Sequence, residues 1–219
     1  MEYKVTATWL SRAPAQSAFL IAAFTTLLLV LGGIIYQQDF YQARDWMPAT
    51  GKAVLSEGAY WQSWTALFAH SDEKHLLSNS FLFFILGSFL TAYFGTFVFP
   101  VMAIVFGGIT NILVLTLMPP ETRLLGASGV VFWLGGVWLT LYFLLDLKHS
   151  TYQRVLRTLG VALVLFFPAE AFDPQTSYSA HFIGFILGIL FALFYFRQNH
   201  RRFKEALVIE PVPEETQPS

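Results

Sequence analysis

Residues 126–145 read GASGVVFWLGGVWLTLYFLL, and this stretch decides the fold. It carries no charge, and its length matches the roughly 20 residues a helix needs to cross a hydrocarbon core about 30 Å thick. Ser128 stands at its mouth, in Gly126-Ala127-Ser128-Gly129. His181 stands at the mouth of a second such run, residues 179–196. Hydrogen-bonding and ionisable groups at membrane depth are costly, so their presence is by default a functional hypothesis. One is a candidate nucleophile and the other a candidate base.

The surrounding composition agrees with a membrane protein. The 219-residue chain is 55% apolar, contains 23 Phe and has only 12% charged residues, about half the share usual in soluble domains. A net charge of -1, with no basic cluster outside the membrane flanks, argues against a nucleic-acid partner. There is no Cys, which excludes disulfides, thiolate nucleophiles and cysteine-based zinc sites. The first apolar run is too long for a signal peptide and lacks a convincing small-x-small cleavage site.

Six stretches qualify as spans: 17–37, 75–93, 96–117, 126–145, 155–167 and 179–196. Gly95 marks the second turn, Pro119-Pro120 ends the third span and Pro168 ends the short fifth. The expected fold class is all-α: a polytopic membrane protein built as a six-transmembrane-helix bundle. Residues 38–74 form a long first outer loop, partly helical, whose Tyr41, Trp46, Met47, Tyr60, Trp61, Trp64 and Phe68 suit the headgroup level. Residues 169–178, with Glu170, Asp173 and Pro174, form a short loop before His181. With a cytoplasmic N-terminus, nine Lys and Arg lie inside and four outside. The expectation is an inner-membrane, multi-pass protein with both termini cytoplasmic and its site open to the outer, periplasmic side. Residues 1–16 form the N-terminal segment, 17–197 the membrane domain, and 198–219 a basic and then Pro/Glu-rich tail, disordered after Leu207.

That topology brings four distant polar residues to one depth. His75, Asn79, Ser128 and His181 all fall within one or two turns of the outer interface. His75 and Asn79, four apart, share a helix face. His181, Gly184 and Gly188 share another, where the glycines admit a neighbouring backbone. Packing the fourth helix on the sixth sets Ser128 opposite His181. A neutral imidazole can activate a serine hydroxyl near physiological pH. No carboxylate stands in the outer half of these spans, so the reading is a Ser–His dyad. Phe132, one turn below Ser128, is placed to pack on the imidazole. Unpaired backbone N–H groups at the start of the fourth helix, Ser128 among them, can donate to an oxyanion, as can the Asn79 amide and the His75 ring.

Other readings are weaker. His70, His75 and His181 could supply three metal ligands, but the chain lacks His-Glu-x-x-His and a buried carboxylate, so neither metal nor cofactor is expected. His70 reads as a loop support. A transporter would carry repeats and a midplane site.

The pieces His70-x4-His75-x3-Asn79, Gly126-Ala127-Ser128-Gly129 and Ala180-His181-x2-Gly184-x3-Gly188, in this order, resemble the rhomboid family of intramembrane serine proteases. The resemblance covers roughly residues 17–197, and the three motifs together are specific. It implies a rhomboid-like bundle, Ser128 as nucleophile, His181 as general base, and His75 and Asn79 as oxyanion partners. Gly126 and the backbone of Ser128 and Gly129 would shape the site. The implied activity is serine endopeptidase cleavage in or near the transmembrane segments of membrane-anchored proteins, without a cofactor. The compact frame is similar to rhombosortase-like members, which process C-terminal anchors of exported proteins. Two positions depart from the family: the usual Trp-Arg pair of the first outer loop is absent, and Phe132 stands where a Tyr is common. The alternative function is a catalytically silent relative that binds or escorts membrane helices. A lipid bilayer and membrane-anchored substrates are the expected partners.

Overall fold

The computed structural model describes residues 3–166 and 177–211. The chain opens with a strand, β1 (Tyr3–Ala7), and a short turn of helix at Trp9–Ser11. Helix α1 (Ala18–Gln37) follows, an apolar run with no proline and no charge. The next segment contains α2 (Ala43–Trp46), β2 (Ala49–Thr50) and α3 (Gln62–Thr65). It is partly helical, as expected of the outer loop. Tyr41, Tyr60 and Trp61 are exposed, whereas Met47 is buried and Trp64 and Phe68 pack on the core.

Helix α4 (Glu73–Phe94) starts at Asp72, whose carboxylate accepts the His75 backbone N–H at 2.8 Å. That bond holds the Asp72 carboxyl below the usual carboxylate range. Helix α4 stops at Gly95, which adopts φ 84°, a conformation glycine reaches without strain. A distorted turn, Phe97–Met102, carries Pro100 into α5 (Ala103–Leu115). Strand β3 (Arg123–Leu124) pairs antiparallel with β2, Ala49 opposite Leu124. Helix α6 (Ser128–Leu145) is the centre of the molecule, with Trp133, Leu134, Val137 and Leu141 fully buried. Helices α7 (Thr151–Phe166), α8 (Tyr178–Gln198) and α9 (His200–Glu205) and strand β4 (Val208–Pro211) complete the chain.

Among the described residues five helical segments are long and apolar enough to cross a membrane: α1, α4, Phe97–Leu115, α6 and α8. The expected six-helix bundle is therefore corrected to a multi-spanning all-α bundle with five candidate spans. The difference is α7. Its described part has 16 residues, about 24 Å of helix, short of a core about 30 Å thick. It begins four residues earlier than its apolar run, so its first two turns carry Arg154 and Arg157. The expected stop at Pro168 and most of the loop at 169–178 lie outside the described residues.

Helices α6 and α8 run parallel. A Cβ on Gly184 would strike the Gly129 carbonyl, and one on Gly188 the Trp133 carbonyl. Two parallel helices in sequence require the intervening chain to travel back along the bundle, and α7 is the described part of that return. A second difference lies at the termini. The segment after Leu207 does not begin as disordered chain: β4 pairs antiparallel with β1, Lys4 opposite Glu210 and Val5 opposite Ile209. The β-branched Val208 and Ile209 suit a strand. The sheet places both described chain ends at one end of the bundle.

Candidate active site

At the other end, the loop preceding α6 is held from several directions. The Gly126 N–H donates to the Ala66 carbonyl at 2.9 Å. The Ala127 N–H donates to His70 Nε2 at 3.3 Å. The β2–β3 ladder and a bond from the Lys52 N–H to the Pro120 carbonyl (2.9 Å) fix the approach to it. Gly126 itself adopts φ 105°, which an L side chain rarely tolerates. Ser128 is thereby set as the first residue of α6, where backbone N–H groups lack helical partners.

His70 is fully buried. Its Nε2 accepts from Ala127, so the ring proton is assigned to Nδ1, which donates to the Phe68 carbonyl at 3.2 Å. Burial lowers its pKa to about 4, so the ring is neutral at neutral pH. This is the loop-supporting part expected of His70. Its ring lies 5.5 Å from that of His75, edge to face.

His75 lies in the first turn of α4, and its ring flanks Gly126: a Cβ there would come 3.5 Å from Cε1. Asn79, one turn on, is buried, and its Nδ2 has no hydrogen-bond partner among the described residues. An unpaired buried donor is costly unless something fills the role, and here a donor stands free one turn along α4 from His75, whose ring flanks Gly126.

His181 lies in the first turn of α8, where the Ser177 side chain accepts the Ala180 N–H. Its imidazole is stacked on Phe132, ring centroids 4.0 Å apart and planes 9° from parallel. Tyr178 approaches the same ring edge-on, 6.4 Å away. Phe132 and Ser128 are four apart and share one face of α6, so the imidazole sits over the face that carries the hydroxyl. Gly129 against Gly184 brings the two backbones into contact at this level, and Gly188 repeats the approach lower down. Among the described residues no hydrogen bond joins Ser128 Oγ to the His181 ring. Nor do the described residues contain a group of three or more His, Asp or Glu placed to hold a metal ion.

Some contributors escaped the sequence reading. Asn111, the lone amide in the third span, donates from Nδ2 to the Ser63 carbonyl at 2.8 Å and ties the outer loop to α5. Its signal was visible, a polar residue in an apolar helix. Trp64 lies flat against Gly108, where a Cβ would overlap the indole. Arg123 bonds the Arg44 carbonyl and reaches the Tyr36 hydroxyl at 3.5 Å. These ties brace a loop that lacks the Trp-Arg pair.

The site and frame thus define a multi-pass helical membrane protein with a serine, two histidines and an asparagine gathered at one end. Residues 57–198 match the rhomboid domain, and the chain belongs to the rhomboid family. It is similar to the Bacillus subtilis (strain 168) protein "Putative rhomboid protease YdcA", 26% identical over 153 residues that span 68% of this chain and 74% of that protein.

Proposed function

We propose that the protein is an intramembrane serine endopeptidase working through a Ser128–His181 dyad. The observation that carries the reading is the His181 ring stacked on Phe132, one turn from the hydroxyl at the start of α6. In this mechanism His181 takes the Ser128 proton as Oγ attacks the scissile carbonyl. The resulting oxyanion accepts hydrogen bonds from the Ser128 and Gly129 backbone, from Asn79 Nδ2 and from the His75 ring. Each well-aimed donor is worth about 3 kcal/mol in the transition state. His181 then protonates the leaving amine, and water, activated by the same imidazole, releases the acyl group from Ser128. Catalytic hydrogen bonds are often long before substrate binds, so the dyad bond is expected to form in the complex.

The substrates are membrane-anchored proteins. A peptide bond inside a stable helix is closed to attack, so cleavage favours segments that unwind readily. C-terminal anchors of exported proteins, the substrates of rhombosortase-like members, are the first class to test. With nine Lys and Arg against four, the termini are placed in the cytoplasm and the site faces the outer side. The rival reading, a silent helix-binding relative, draws on the missing Ser128–His181 hydrogen bond. Cleavage of a membrane-anchored reporter in vesicles decides between them. Cleavage lost in both Ser128→Ala and His181→Ala supports the enzyme, and a wild-type protein that binds the reporter without cutting it supports the rival.

A further inference from the structure

At the end of the bundle opposite the active site, two arginines from the two ends of the chain meet on one indole. The Trp9 Nε1–H donates to the Tyr93 carbonyl at 2.8 Å, and its ring meets Phe203 edge-on at 5.1 Å. The indole is therefore fixed and largely buried. The Arg12 guanidinium carbon lies 4.0 Å from its centroid and that of Arg202 lies 5.0 Å away. Such cation–π contacts orient a guanidinium without neutralising it. Neither group has a carboxylate partner among the described residues. The β1–β4 ladder holds the two segments together just outside this cluster.

Over residues 1–17 and 197–219 the sequence carries six Lys and Arg against five Glu, and the described part of these segments is the basic part. Among the described residues, the chain-end segments 3–17 and 197–211 carry Lys4, Arg12, Arg197, Arg201, Arg202 and Lys204 against Glu205 and Glu210, an excess of four positive charges. Both guanidiniums lie within 5.0 Å of one indole centroid, so their like charges repel, and an anion held beside them relieves that repulsion. Phosphate suits them because it can accept paired N–H bonds from each planar fork. The depth points to a lipid as its source. Helix α1 begins at Ala18 and α8 ends at Gln198, so the arginines lie just beyond two spans, at headgroup level. Phe19 and Leu20, in the first turn of α1, are largely exposed and offer apolar surface to acyl chains beside the headgroup.

We propose that Arg12 and Arg202, set on Trp9, form a binding site for the phosphate of an anionic phospholipid. The site is independent of the protease reading, and its test does not use activity. The full chain is placed in phosphatidylcholine vesicles, and its association with spin-labelled phosphatidylglycerol is compared with that of spin-labelled phosphatidylcholine. The wild-type protein prefers phosphatidylglycerol by about fivefold or more, and added salt erodes the preference. In Arg12→Gln/Arg202→Gln the preference falls toward unity at an unchanged melting temperature, while Lys52→Gln, exposed at the opposite end, keeps it. If the double variant does not fold, Arg202→Gln alone reports the same loss. Equal association of both lipids with the wild-type protein overturns the site, as does a folded arginine variant with undiminished preference. Displacement of the spin-labelled lipid by millimolar inorganic phosphate overturns the lipid assignment in favour of a soluble anion.

Discussion

The His181 imidazole is stacked on the Phe132 ring, centroids 4.0 Å apart and planes 9° from parallel. Helix α6 thereby controls both members of the proposed dyad: it carries Ser128 at its first residue and, one turn on, the ring that orients the histidine. A stacked aromatic pair is worth about 0.5–1.5 kcal/mol beyond its buried area. Phe132→Leu is therefore expected to lower kcat by about 2- to 12-fold with little change in KM, and Phe132→Tyr to retain activity. Steady-state cleavage of a membrane-anchored reporter checks both. Undiminished turnover in the Leu variant would show that the stack does not position the base.

Asn79 Nδ2 has no partner among the described residues, which separates its catalytic part from any structural one. Asn79→Ala is expected to reduce kcat about 100-fold, the cost of one oxyanion donor, with KM and the melting temperature nearly unchanged. A large fall in stability at intact turnover would make the residue structural.

His70 makes stability depend on pH. Its folded-state pKa is about 4, against 6.5 for a free imidazole, with burial as the largest cause. Between these values the unfolded chain binds the proton and the folded chain does not. The neutral ring's contribution is thus fully present above pH 6.5 and is lost as pH falls toward 4. The span amounts to about 3 kcal/mol. Unfolding midpoints measured between pH 4 and 7 are expected to fall with acidity in the wild-type protein. In His70→Leu the slope should flatten, with lower stability at pH 7 because the Ala127 N–H loses its acceptor. Identical pH slopes for the two proteins would remove His70 from this account.

Gly184 faces the Gly129 carbonyl so closely that any Cβ must push α6 and α8 apart. Gly184→Ala should cost about 1–3 kcal/mol of stability and reduce cleavage further by moving His181 away from Ser128. A melting curve and a reporter assay on the same preparation test this. Normal values in both would mean that the helices do not need the close approach.

The gathering of His75, Asn79, Ser128 and His181 was legible because each sits a fixed number of turns from a helix end, and helical rise converts sequence position into depth. The Gly184 and Gly188 face was legible from its four-residue spacing. The number of spans was not, because α7 joins an apolar half to two first turns holding Arg154 and Arg157, and hydropathy alone cannot say where such a helix begins. Nor was the β1–β4 ladder, which joins segments some 200 positions apart through strands too short to show a period. His70 was legible as a loop support and Asn111 as a lone amide in an apolar helix, but the bond from the Gly126 N–H to the Ala66 carbonyl joins distant backbone groups and leaves no mark in local sequence.

The dyad stands on activation of Ser128 by His181. The most direct test treats the folded protein in vesicles with a fluorophosphonate and locates the adduct by peptide mass spectrometry. Phosphonylation is expected at Ser128 in the wild-type protein and none in His181→Ala. Labelling of Ser128 that persists without His181, or a wild-type protein that stays unlabelled while folded, would contradict it.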